Sequence, residues 1–320
     1  VAAAQEKPTR IGVIEALGRG FEVAARTPWV VGLPIFLDLF LWRGPQLSAA
    51  PLVDWVMNAY QRGAASRVLG DLGTLPPEAL DATREALMRF NVFATLAFNL
   101  VALPTSAQTR PALGPVIATL EHPLSVVMAI LGLEIVGMAL GCLFFAGLAQ
   151  QVRYGVVHIG GVLQSVPRYW LRFALIILVA LLLPFVIGLP VGLLLAIVAM
   201  MSPVAAQVIG TMLLVAAQVA IVWLAIYLFF VIDAVVVSDL GARAAVETSV
   251  RIVSRNFWAA LGLIVLSFVI AQGMFQIWAL LSQSTLGSLV AIVGHAYVAS
   301  GLAAASMAFY WNRVQHEQEA

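Results

Sequence analysis

Six apolar runs decide what this chain can fold into. Five are long: Pro123 to Ala149, Trp170 to about Met201, Val204 to Val237, Phe257 to Leu281 and Leu286 to Trp311. Each reaches the roughly 20 residues that a helix needs to cross a bilayer core. The sixth, Pro28 to Trp42, is shorter and contains Pro34 and Asp38. Composition closes off the soluble alternative. Of 320 residues, 62% are hydrophobic and only 10% are charged, where a soluble domain carries about 25%. So few charges cannot wet a soluble surface, so lipid is the expected solvent. The expected fold class is an all-α integral membrane protein, a single membrane domain over 1–320.

Charge also limits partners. The formal net charge is +1, which gives no electrostatic footprint for nucleic acid. Cys142 is the only cysteine and lies in an apolar run, so no disulfide framework is expected. Residues 1–26 mix Lys7, Arg10, Arg19 and Arg26 with Glu6, Glu15 and Glu22. No small-residue cleavage site of the usual kind follows the first run, so that run is expected to be a retained span.

The connections set an expected orientation. The links Ser202-Pro203 and Ser282 to Thr285 carry no charge. The other side carries Arg153, Arg168, Arg172, Arg243, Arg251, Arg255 and Arg313 plus the N-terminal bases. The positive-inside rule puts that side, with both termini, in the cytoplasm. The expected spans are 28–42, 123–149, 170–201 with a break at 188–190, 204–237, 257–281 and 286–311. Residues 43–122 then form an extracytoplasmic segment, a length that translocates largely regardless of its charge. Helical spacing of Leu52, Trp55, Val56, Tyr60, Val68 and Leu69 predicts one helix there. Pro76-Pro77-Glu78 opens a second, with Asp81 and Glu85 early, apolar from Val92 to Leu103 and interfacial.

Tryptophans mark the expected boundaries, because an indole is apolar in body and polar at its N–H. Trp258 and Trp278 lie twenty residues apart, about 30 Å of helix. Trp29 and Trp170 fall at other expected edges. The three outgoing spans also share a prelude of amphipathic stretch, base and aromatic. The instances are Ile14 to Ala25 before Arg26-Thr27-Pro28-Trp29, Val162 to Val166 before Pro167-Arg168-Tyr169-Trp170, and Ala244 to Val253 before Ser254-Arg255-Asn256-Phe257-Trp258. Three hairpins are therefore expected, each introduced by a cytoplasmic interfacial helix, with 1–27 and 238–256 as the longest of these.

Asp233 to Trp258, with Val-Glu-Thr-Ser-Val-Arg-Ile-Val-Ser-Arg-Asn-Phe-Trp at 246–258, resembles the membrane domain attached to some bacterial glycerophosphodiester phosphodiesterases. It also resembles related stand-alone six-span proteins. Pro28 to Pro34 and Leu37-Asp38-Leu39 resemble uncharacterised polytopic proteins of filamentous green bacteria. The resemblance covers mainly 230–260 and 28–50. It implies a membrane scaffold in a bacterial cytoplasmic (inner) membrane and supplies no reaction.

Asp38, Glu134 and His295 lie deep in expected spans, roughly 14–16 Å from a span edge. Buried carboxylates and a histidine at one depth can relay protons or bind a cation. The plainer reading is hydrogen bonding at helix interfaces. Asp233, near a span end, is expected to be wetted. No cofactor is expected; haem or chlorophyll ligation by His295 is the alternative, and His122, His158 and His316 all fall at or outside membrane edges. Gln218, Gln272 and Gln276 suit interhelical hydrogen bonds, and Gly137, Gly141, Gly301 and Ala305 suit close helix approach. A rhomboid-type protease would need Gly-x-Ser-Gly where the fourth span reads Gln207-Val208-Ile209-Gly210-Thr211-Met212. Neither a His-Glu-x-x-His site nor a phosphate-binding loop is present. No catalytic or metal-binding motif is found. The expected function is a non-catalytic accessory or scaffold subunit of a larger membrane complex, for example an energy-transducing one. The alternative is a small-molecule, ion or lipid transporter using Asp38, Glu134 and His295.

Overall fold

A computed structural model describes residues 10–48, 53–55, 58, 85, 91–97, 101–106, 113, 115–120 and 122–318. Its helices are α1 (Val13–Arg26), α2 (Pro28–Arg43), α3 (Pro123–Tyr154), α4 (Ile159–Met201), α5 (Pro203–Tyr227), α6 (Val231–Val236), α7 (Ala242–Arg255), α8 (Phe257–Leu281) and α9 (Thr285–Gln318). Among the described residues, five helical stretches are long and apolar enough to cross a membrane, with α5 and α6 counted as one; the number is six if α1 and α2 together form another. By helix length and hydropathy, this is a polytopic α-helical membrane protein.

Two compact units divide the chain. The first comprises 1–27, 145–271 and 300–320, and the second 28–144 and 272–299.

In the first unit, α1 is amphipathic. Ala16, Leu17, Gly20 and Ala24 are buried, while Glu15–Arg19 and Glu22–Arg26 form i,i+4 ion pairs on the wet face. The buried stripe lies on the C-terminal part of α9. A Cβ at Gly20 would run into the Gly301 carbonyl and the backbone of Ala305, and one at Gly301 would meet the ring of Phe21. The Ile11 N–H donates to Asn312 Oδ1 at 3.1 Å, and Arg313 donates to the Ile11 carbonyl at 3.0 Å. Small residues here allow two backbones to approach, as helix pairs in lipid require.

The expected fourth span ends in a turn. Helix α5 stops at Tyr227, and α6 starts at Val231. The buried Ser249 of α7 repairs the gap: its hydroxyl donates to the Tyr227 carbonyl at 2.7 Å and accepts from the Phe230 N–H at 3.2 Å. Ser249→Ala would strand the buried Phe230 N–H and the part-buried Tyr227 carbonyl, at about 1–3 kcal/mol. The expected result is a clearly lowered thermal midpoint in detergent; an unchanged midpoint would refute this role.

Asp233, expected to be wetted, is buried on α6 and accepts from Ser306 at 3.3 Å. The reason is packing: Phe230 stacks on Phe309 at 5.6 Å and draws this short helix against α9.

The expected break at 188–190 is absent. Helix α4 runs through Pro167, Pro184 and Pro190 without interruption. Each proline removes one N–H, and in long apolar helices the adjoining turns absorb that loss. The second prelude, Val162 to Val166, is therefore the start of α4 and not a separate helix. Of the three preludes, α1 and α7 are distinct helices, capped at Thr27 and Asn256.

In the second unit, the expected apolar helix over 92–103 is replaced by a short 3-10 helix at Val92–Ala97, after which 102–106 is irregular. Two short parallel strands, β1 (Gln46–Ser48) and β2 (Val116–Thr119), also depart from an all-helical segment. The cause is side-chain capping that competes with helix. Asn91 Oδ1 accepts from the N–H groups of Leu47 and Phe93 at 3.1 and 3.2 Å. Val92 and Val126 centre a small core with Leu47, Leu120, Ile130 and Leu133. Trp55 is helical. Leu52, Val56, Tyr60, Val68, Leu69, Pro76 to Glu78 and Asp81 lie outside the described residues.

Candidate functional site

The three deep ionisable residues lie in the second unit. Asp38 on α2 is fully buried. Its carboxylate accepts from the Thr105 hydroxyl, from the Ser106 hydroxyl at 2.7 Å and from the Ser106 N–H at 3.0 Å. Three donors from one irregular segment thus hold it as a staple. Glu134 on α3 and His295 on α9 are part-buried. Among the described residues, no three His, Cys, Asp or Glu side chains gather as a metal ion would require.

The packing and anchor residues divide by role. Gly137 is buried on α3. A Cβ on Gly141 would collide with the Val101 carbonyl, so that backbone can come close only because Gly141 has no side chain. Trp258 is 81% exposed and Trp29 is exposed, whereas Trp170 is part-buried. Trp278, expected to be an interface anchor, is only 8% exposed, and its ring edge fills the space a Cβ at Gly294 would need. Spacing along a helix gives the depth of an indole but not the direction in which it points.

A second polar site, in the first unit, is built around the turn between α6 and α7. Asp239 adopts φ +54°, a left-handed conformation that aspartate tolerates better than most residues. Its carboxylate accepts from Arg168 at 2.7 Å and Arg172 at 2.6 Å. These arginines are four apart on α4, so both reach one acid. The Tyr169 hydroxyl donates to the Val236 carbonyl, and Arg153 donates to the Val237 carbonyl, both at 3.2 Å. Orphan carbonyls at the end of α6 are satisfied in this way. Ser238 and Tyr310 share a hydrogen bond of 2.9 Å.

Beside this turn lies a cavity of about 550 Å³, lined in part by Arg153, Thr248, Arg251, Arg255, Tyr310 and Glu317. Glu317 accepts from Arg251 at 3.2 Å and from Arg255 at 3.0 Å. One i,i+4 arginine pair again shares one carboxylate. With Arg153 included, three bases face one acid, so the cavity carries surplus positive charge beside hydroxyl donors. That chemistry suits an anionic group. Its described lining has neither a histidine nor a cysteine, and its one carboxylate, Glu317, is held by two arginines. In sequence these arginines stand out as markers of sidedness and, for Arg168 and Arg255, as the base that precedes an aromatic. Their i,i+4 spacing was the signal that they act in pairs.

No protein-family model matches this chain, and comparison with curated proteins and with solved structures finds no match.

Proposed function

We propose that this chain is a non-catalytic subunit that packs against other membrane proteins in a bacterial cytoplasmic membrane, with both termini inside. One observation carries the reading. The hairpin formed by α4 beyond Phe173 and the whole of α5 buries no side chain in the chain's own core. Leu182, Val186, Leu189, Leu193, Met212 and Ile221 all stand exposed. The hairpin adds a large apolar surface while contributing little to the packing of its own unit, as a docking element would. The proposed orientation draws support from the first unit, which holds residues 10–27, residues 300–318 and the arginines from Arg153 to Arg313. The likeness of residues 230–260 to a membrane domain that accompanies a separate catalytic barrel agrees with a scaffold role.

The transporter reading finds less support, because the Asp38 carboxylate is committed to three donors. Extraction of the tagged full chain in mild detergent tests the subunit reading. Other membrane proteins are expected to co-purify in fixed proportion. A monodisperse species free of any other protein would overturn it.

A further inference from the structure

The polar side chains of α5 are not scattered. Apart from Trp223 and Tyr227, which stack on each other on the other side of the helix, they are Gln207, Thr211 and Gln218. At about 100° per residue these three fall within a single arc of roughly 40°. Val204, Leu214, Ile221 and Ala225 complete the row, so that steps of three and four alternate from 204 to 225. This is the heptad seam of a left-handed helix pair.

Every residue of this seam is exposed, Leu214 by 61%. Helix α4 lies along one edge of the seam: a Cβ added at Gly210, about 60° round the helix from Gln207, would come 4.0 Å from Leu195. Thr211 satisfies its own hydroxyl by donating to the Gln207 carbonyl at 2.9 Å. The two glutamine amides have no such recourse: both are exposed, and no hydrogen bond to another described residue engages them. On a helix apolar enough to span a membrane, an outward amide faces hydrocarbon, where two donors and an acceptor go unmet.

We propose that the Gln207–Thr211–Gln218 face of α5 is a self-association seam, and that its occupant is the same face of a second copy of this chain. The argument is complementarity. Copies inserted with one orientation present their α5 helices parallel, so a two-fold axis along the membrane normal sets each residue opposite its own copy at equal depth. A primary amide both donates and accepts, so Gln207 pairs with Gln207 and Gln218 with Gln218. A foreign helix would need polar groups at these same two depths, whereas a second copy has them by construction. Polar residues on an apolar seam also fix its register.

This inference rests on the hairpin being a docking element, and its test is separate from co-purification. In the full chain with Cys142→Ala, single cysteines would be placed at Leu214 and Ile221 on the seam and at Met212 and Val219 on the opposite face. Exposure does not favour the seam, since Met212 is 68% exposed. On oxidation in native membranes, L214C and I221C are expected to give cross-linked dimer at least ten-fold above M212C and V219C. Adding Gln207→Leu and Gln218→Leu to the L214C variant should reduce that dimer about ten-fold without lowering the thermal midpoint. Equal cross-linking at all four sites, no cross-linking at the seam, or a dimer indifferent to the leucines would overturn the proposal. Seam cross-links in a protein that co-purifies alone would remove the heteromeric reading and leave this one. Co-purifying partners without seam cross-links would do the reverse.

Discussion

Gly20→Val is expected to detach α1 from α9 and to lower stability by about 3 kcal/mol, near the upper end for overpacking. The size follows from what stands in the way. The atoms facing Gly20 are the Gly301 carbonyl and the Ala305 backbone, not the tip of a flexible side chain. They cannot rotate aside, so the helices must separate. Separation also strains the bonds from Ile11 to Asn312 and Arg313. Gly18 supplies the control. It lies on the same helix, is exposed, and has open space around its Cα. Gly18→Ala should leave the thermal midpoint level or raise it slightly, since alanine favours helix by up to about 1 kcal/mol. Equal behaviour of the two variants in detergent melts would refute the crossing of α1 on α9.

Asp38→Ala is the second large effect, expected at about 3–5 kcal/mol. Removing the carboxylate leaves the Thr105 hydroxyl and both Ser106 donors without this acceptor, at about 1–3 kcal/mol for each group and less than additively. Asp38→Asn keeps one acceptor oxygen and should fall between the alanine variant and wild type. Hydrogen exchange at the Ser106 amide reports on the staple directly and should speed up in both variants. The two readings of Asp38 diverge here. A relay residue would lose flux in proteoliposomes on Asp38→Asn while the Ser106 amide stayed protected. A staple loses protection first. Protection unchanged in the alanine variant would count decisively against the staple.

What could be read in advance follows from which forces act locally. Five of the expected spans were legible because hydrophobic length is a property of a contiguous run; the expected first, 28–42, is a 16-residue helix that reaches spanning length only together with α1. The continuity of α4 was not, since a proline breaks a helix or not according to how its neighbouring turns respond. The small faces at Gly301 and Ala305 were visible, but their partner Gly20 was hidden among the charges of an amphipathic helix. Residues 91–106 escaped prediction for another reason. Asn91 and Asp38 organise them through side-chain to backbone bonds, one of which joins residues 68 apart in sequence. Hydrophobic periodicity carries no trace of such a bond. The arginine pairs were half legible: their i,i+4 spacing is visible in sequence, but the acids they share are 67 and 62 residues from an arginine of the pair.

Those shared acids bear on how the protein is made. Each trio, Arg168 and Arg172 with Asp239 or Arg251 and Arg255 with Glu317, keeps one uncompensated positive charge after folding. Carboxylates contribute little to sidedness while a chain is being threaded into a bilayer. Before α6, α7 and α9 have met, all four arginines are free to resist translocation. Afterwards the same four brace the turn after α6 and the end of α9. In the proposed orientation, one set of side chains acts first as a traffic signal for the ribosome-bound chain and later as its mortar.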